Sequence, residues 1–298
     1  MKALITGASG LIGKELQKSF RAKGYELLLA SRKESTDPLH VQWSIEEGFA
    51  KPEEIEGVDI VVHLAGENVS GGLRWTDEKK KAIRESRVLG TRNVVDAISK
   101  LKHKPKVFIA ASAIGFYGER GEEEVTESSA AGDDFLASVC KEWEAESRRA
   151  EDAGIRTVLL RTGIVLSKEG GALATMLLPF KMGVGGVVGS GKQWMSWISL
   201  DDEIAIINFA IENENVRGAL NAVSPNPVTN HDFTKTLGDV LYRPTILPLP
   251  EFAVSMIFGE MGDALLLSST KVIPKRLEDA GFEFKYPDLK PAIEHAVE

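Results

Sequence analysis

The sequence predicts an α/β fold: a doubly wound, mostly parallel sheet with helices on both faces and a smaller C-terminal α/β lobe. Three observations carry this. Short, mostly apolar runs (Met1 to Thr6, Tyr25 to Ala30, Val58 to Leu64, Val107 to Ala111, Arg156 to Arg161) alternate with long helical patterns. Strands alternating with helices of ten or more residues build right-handed βαβ units and a parallel sheet. The runs are continuously apolar, as strands covered on both faces are. A glycine-rich turn, Gly7 to Gly13, joins the first run to the first helix.

The elements follow in order. Leu11-Ile12-Gly13 leads into a helical pattern that runs to about Ala22 and is closed by Gly24. The second strand, YELLLA, is followed by a polar stretch from Ser31 to Gly57, broken by Pro38 and Pro52, with a short strand near Val41–Trp43. After the strand VDIVVHL, helices are expected from Asp77 to about Lys100 and from Asp134 to about Ala153. Beyond Leu166 the texture changes. Gly170-Gly171 precede a helix near Leu173–Lys181, and a glycine-rich stretch, Gly183 to Gly191, leads to Trp194 and Trp197. Ala219 to Val223 reads as one more strand of the main sheet, and Pro225, Pro227, Pro244, Pro248 and Pro250 punctuate short helices after it. The expected division is residues 1–166, with the strand near 219–223 returning to them, and residues 167–298.

Composition narrows the class of partner. Of 298 residues, 43% are hydrophobic and 27% charged, and 36 basic against 44 acidic residues give a net charge of -8. A nucleic-acid binder carries a basic face, and anionic lipid attracts basic segments, so neither partner is expected. Cys140 is the single cysteine, which excludes an intramolecular disulfide and a multi-cysteine zinc site. No His/Cys/Asp/Glu group has metal-ligand spacing, so no metal is expected. The chain opens with no secretory pattern and has no apolar run of ~20 residues, so a cytoplasmic protein is expected.

The glycine turn carries the chemistry. TGASGLIG spaces Gly7, Gly10 and Gly13 as G-x-x-G-x-x-G, directly after a buried strand and at the opening of a helix. Such a turn brings backbone N–H groups and the helix dipole to a pyrophosphate, which makes the fold a Rossmann-type one. An NAD site holds the ribose 2′-hydroxyl with a carboxylate about 20 residues further on. Here that place is taken by Ser31-Arg32-Lys33, with Arg32 19 positions beyond Gly13. A guanidinium fork and a hydroxyl suit a 2′-phosphate, so the expected cofactor is NADP(H). His63, inside an apolar strand, reads as a hydrogen-bonded core histidine.

TGASGLIG, DIVVHLAG, KVFIAASAIGFYG and WISLDDEI together resemble an extended short-chain dehydrogenase/reductase. HLAGEN, FLASVCKEWE, RTGIVLSKEGGAL, LPFKMGVGGVVGSGKQWMSWI and KVIPKRLEDAGFEFKYPDL are similar to its atypical "epimerase family protein" branch, which carries its own C-terminal domain of unknown function. The resemblance spans essentially the whole chain. It implies cofactor contacts from Gly7, Ser9, Gly10, Leu11, Ile12 and Gly13, from Ser31 and Arg32, from Leu64 and Ala65, from Arg87, and from Val165 at the nicotinamide end.

The same resemblance implies a Tyr-x-x-x-Lys pair on the helix of FLASVCKEWE. Lys141 aligns with the lysine, but Ala137 stands in place of the tyrosine. Ser112 lies near the place of the family's serine, with Ala113 at the aligned position, and Tyr117 follows the strand end. Lys141, Tyr117 and Ser112 are therefore the catalytic candidates, with Tyr117 also readable as pocket wall. Asp201-Asp202-Glu203 reads as capping and dipole stabilisation of the helix after it. Gly183 to Gly191 is expected as a flexible wall over the substrate pocket, with Trp194, Met195 and Trp197 adding apolar surface there or in the core. Two functions follow: an NADP(H)-dependent reductase or epimerase-like enzyme acting on a small molecule, or a non-catalytic NADP(H)-binding redox sensor or scaffold.

Overall fold

A computed structural model describes residues 1–298. Its centre is an eight-stranded sheet, ordered β12-β8-β6-β5-β1-β2-β3-β4. The strands are β1 (Lys2–Thr6), β2 (Glu26–Ser31), β3 (His40–Ser44), β4 (Gly48–Phe49), β5 (Ile60–His63), β6 (Val107–Ala113), β8 (Arg156–Thr162) and β12 (Gly218–Ala222). All pair in parallel except β3 with β4. The chain winds outward from β1 in both directions, so the order reverses between β1 and β5. Open α/β sheets bind ligands at that switch point.

Helices α1 (Leu11–Ala22) and α5 (Leu200–Glu212) cover one face; α2 (Asp77–Lys100) and α3 (Phe135–Asp152) cover the other. Consecutive strand residues point to opposite faces. Ile5, Ile109 and Leu160 therefore join Leu16, Phe20 and Ile207 in one core. Leu4, Phe108 and Leu159 join Val94, Val95 and Ile98 in the other. This is why the strands read as unbroken apolar runs. Each such side chain contributes about 1.5–3 kcal/mol by leaving water. The helices start where side chains satisfy free amides: Thr76 caps α2, Asp134 caps α3 and Ser199 caps α5.

The second unit is built on β7 (Glu124–Val125), β9 (Ile164–Leu166), α4 (Gly171–Lys181), β10 (Trp194–Met195), β11 (Trp197–Ser199), β13 (Val228–Thr229), α6 (Asn230–Leu241), α7 (Glu251–Phe258), α8 (Glu260–Gly262), β14 (Lys271–Val272), α9 (Lys275–Asp279) and α10 (Leu289–Val297). Its core gathers Leu166, Leu173, Phe180, Trp197, Phe233 and Ile293. Three two-stranded pairings, β10 with β13, β11 with β9 and β14 with β7, stitch it together.

Packing crosses the division expected at residue 166. Besides β12, helix α5 also returns to the main sheet, where Ile204, Ile206 and Ile207 enter the α1-side core. Gly183 to Gly191 is not a loose wall either. Gly189 N–H donates to the Leu249 carbonyl and Leu249 N–H to that of Val187, and a bridge joins Val188 to Leu249. No helix is long and apolar enough to cross a membrane, and no group of acidic, histidine or cysteine side chains is arranged to hold a metal.

Candidate functional site

The switch point is locked by His63. Its Nδ1 lies 2.6 Å from Thr6 Oγ1 and its Nε2 3.0 Å from Thr91 Oγ1, and it is fully buried. Burial drives the imidazole down to about 3, so it stays neutral, as a core histidine should. The ends of β1 and β5 are thereby held side by side. Gly7 follows with φ +68, and a Cβ there would stand 2.7 Å from the Leu64 carbonyl carbon. A Cβ on Gly13 would meet the Gly7 oxygen at 2.4 Å. Only glycine permits this turn and this close seating of α1.

The N-terminus of α1 is left open to a ligand. Its cap residue, Gly10, offers no side-chain hydrogen bond, and no acidic residue lies in the first turn. Free amides and the positive end of the dipole face the loop, as a pyrophosphate requires. At the tip of β2, Ser31 Oγ accepts from the Lys33 N–H at 3.1 Å. Arg32 and Lys33 are exposed, and neither makes an ion pair within the chain. The residues present therefore fit a phosphorylated dinucleotide.

Three of the expected contact residues share one core. Ile12, Leu64 and Val165, from the glycine loop, the end of β5 and β9, all pack on the α1-side core. Arg87 is no free surface charge. Its Nη1 donates to the Glu67 and Ile83 carbonyls at 3.0 and 3.2 Å, and its guanidinium lies 5.1 Å from the Trp143 ring centroid. Burial lowers its pKa. Gly170 and Gly171 also lie against the glycine loop, a placement that their spacing from it does not reveal. A Cβ on Gly170 would touch Leu11 Cδ1 at 3.8 Å, and one on Gly171 would touch Leu11 Cδ2 at 3.9 Å. The signal was a glycine pair opening a helix with no side-chain cap.

The three catalytic candidates are placed otherwise than the alignment implied. Lys141 lies on the exposed side of α3 with no hydrogen-bond or ion-pair partner. The buried side of that helix is Ala137, Cys140, Glu144 and Ser147, so Cys140 faces the strand ends. Its thiol is inert as a nucleophile, because burial pushes it up to about 12. Ser112 is buried, with its hydroxyl donating to Glu144 Oε1 at 2.8 Å. Tyr117 is fully buried; its hydroxyl donates to Asn221 Oδ1 at 2.5 Å and accepts from Arg161 Nη1 at 2.9 Å. The Ser112 and Tyr117 hydroxyls are thus spent within the fold. The pairing Ser112–Arg161–Asn221 across neighbouring strands puts all three on the α3 side, which residue spacing alone does not show.

The acidic trio splits into three roles. Asp201 pairs with Lys285 at 2.6 Å. Asp202 accepts from Ser199 and from the backbone N–H groups of Lys285 and Tyr286. Glu203 does not cap. It is fully buried, and its one hydrogen bond joins Oε1 to the Thr162 hydroxyl at 3.0 Å.

A cavity of about 350 Å³ opens between the two units, lined in part by Trp75, Phe135, Leu136, Glu251, Asp263 and Leu267. Trp194, Met195 and Trp197 are not among its walls. Trp197 and Met195 are buried in the second core, and Trp194 donates its indole N–H to Glu122 at 2.8 Å.

A parallel sheet with a glycine cradle at its switch point and a smaller second unit defines a dinucleotide-binding protein of the extended short-chain dehydrogenase/reductase class. The chain belongs to the NAD dependent epimerase/dehydratase family, whose model matches residues 3–222, and a domain of unknown function, DUF1731, matches residues 249–296. It is 39% identical over 302 residues to the epimerase family protein YfhF of Bacillus subtilis, covering 100% of this chain and 98% of that one. A crystal structure of the human epimerase family protein SDR39U1 with NADPH superposes with a TM-score of 0.92 at 35% identity, covering 99% of each chain. A structure described as a nucleoside-diphosphate sugar epimerase from Corynebacterium glutamicum has a TM-score of 0.83 at 36% identity, covering 100% of this chain and 58% of that one.

Proposed function

We propose that this chain binds NADP(H) and carries out oxidoreductase or epimerase-like chemistry on a small molecule held in the cleft between the two units. One observation carries the reading: the uncapped start of α1 and the unpaired Arg32 lie at the ends of adjacent strands, β1 and β2. The first supplies amides for a pyrophosphate and the second a fork for a 2′-phosphate. The human relative crystallised with NADPH supports it. When bound, the nicotinamide supplies or accepts a hydride. The chain's part is to orient it on Ile12, Leu64 and Val165 and to shield the reacting atoms with the second unit. The acidic net charge disfavours nucleic-acid and anionic-lipid partners, and the lone, buried Cys140 suits a reducing cytoplasm.

The test is a crystal structure with NADPH added. The expected result is the 2′-phosphate against Arg32 and Ser31, with the pyrophosphate on the first turn of α1. A 2′-phosphate facing solvent, or cofactor absent from the glycine loop, contradicts the reading.

A second reading is favoured by the burial of Ser112 and Tyr117 and the outward placement of Lys141: an NADP(H)-binding sensor or scaffold without turnover. It predicts tight NADPH binding, no NADPH oxidation with any of a broad carbonyl panel, and partner capture that differs between NADPH and NADP. Steady NADPH oxidation with one carbonyl compound removes it.

A further inference from the structure

Carbonyl reduction needs a proton as well as a hydride, and the three candidates above do not present one to the cleft. A different pair of residues, Thr162 and Glu203, meets where β8 ends. Strand β1 ends at Thr6, level with His63 and, through it, Ala110. Strands β6 and β8 continue past that level to Ala113 and Thr162, which stand side by side. Thr162 is thus carried beyond the level at which β1 ends, and it lies three residues before Val165, which packs on the same core as Ile12 and Leu64. Behind it lies Glu203, fully buried, with Oε1 engaged by Thr162 and Oε2 without any partner. An unpaired ionised carboxylate in that apolar core is costly, so the group is held as the acid.

We infer that Thr162 and Glu203 form a proton-delivery pair at the nicotinamide end of the cleft, Thr162 protonating a substrate oxygen and Glu203 replenishing Thr162. The inference rests on the NADP(H) reading above. As the substrate carbonyl gains its two electrons from the reduced nicotinamide, its oxygen becomes an alkoxide. One O–H bond forms there as one breaks at Thr162 Oγ1. A second forms at Thr162 Oγ1 as the carboxyl O–H on Glu203 Oε1 breaks across their 3.0 Å hydrogen bond, leaving a carboxylate that regains a proton from water through Thr162 once product has left. Thr162 is the group that touches substrate. Glu203 acts through it and is a positioning residue. Burial pushes Glu203 up to about 8, and no charged neighbour contributes, since Asp202 is turned to Ser199 and the backbone of Lys285 and Tyr286. The core on which α5 lies also holds Ile109, Leu160 and Ile198, with Ile12 and Val165 packed against it.

Infrared difference spectroscopy of the full chain tests this, with NADPH binding followed by fluorescence in the same samples. The expected result is a protonated-carboxyl band at neutral pH that vanishes in Glu203→Gln, moves in Thr162→Val, returns in Thr162→Ser, and differs between the NADPH and NADP complexes. With 4-nitrobenzaldehyde as the probe, any turnover falls by roughly 10²-fold in Thr162→Val at unchanged NADPH affinity and recovers in Thr162→Ser. The pH profile flattens in Glu203→Gln. A band that is the same in the two cofactor complexes, or turnover equal in wild type and Thr162→Val, overturns the pair alone. Failure of the wild type to bind NADPH overturns the functional reading and the pair with it.

Discussion

Arg161 grips Glu144 through two parallel hydrogen bonds, Nε to Oε1 at 2.8 Å and Nη2 to Oε2 at 2.9 Å. Both side chains are buried, 4% and 5% exposed, and Ser112 donates to the same carboxylate. The Arg161 guanidinium also lies 3.5 Å from the Phe116 ring centroid. This network, on the α3 side of the sheet, uses up the Ser112 and Tyr117 hydroxyls.

Glu144→Ala therefore leaves a buried guanidinium unpaired. Removing one partner of a buried pair costs about 3–5 kcal/mol. Urea unfolding of the variant is expected to show a loss of that order. A loss within about 0.5 kcal/mol, the usual range of surface changes, contradicts the placement.

Two buried titratable groups, His63 on β5 and Glu203 on α5, have opposite pH signatures. Folding holds His63 near 3 rather than 6.5, so the unfolded chain takes up a proton first as pH falls. Stability is then lost as pH drops from 6.5 toward 3, with a slope of up to about 1.4 kcal/mol per pH unit. Folding holds Glu203 near 8 rather than 4.5, so the unfolded chain releases a proton first as pH rises, and stability is lost from 4.5 toward 8. Stability measured against pH is expected to fall less steeply on the acid side in His63→Gln and on the alkaline side in Glu203→Gln. Parallel curves for wild type and both variants contradict this.

Lys141→Ala is expected to leave NADPH affinity and any turnover within about twofold of wild type, because exposed side chains without partners contribute little. A tenfold loss in either would return Lys141 to the site.

The fold was legible because its signals are local. Each βαβ unit announces itself in a run of apolar residues and the helix after it, and the cradle sits in the contiguous stretch from Gly7 to Gly13. Ser31 and Arg32 were readable from their offset to that stretch. The catalytic placement was not, for two reasons. Which side of α3 faces the strand ends depends on helix rotation, and a shift of one position separates exposed Lys141 from buried Cys140. The partners of Tyr117 and Thr162 come from Asn221, Arg161 and Glu203, far along the chain and joined only by strand register. The motif around Glu203 looked like a helix cap because Ser199 and Asp202 do cap; burial of the third acid is set by how α5 lies on the sheet.

Isothermal titration with NADPH, NADH and the Arg32→Ala variant tests the central claim most directly. The account predicts tighter binding of NADPH than of NADH by wild type. It predicts a loss of NADPH affinity in Arg32→Ala of about 1.5–3 kcal/mol, the range for a charged hydrogen bond, with NADH affinity little changed. No heat with either nucleotide, or equal affinity for both in wild type, contradicts it.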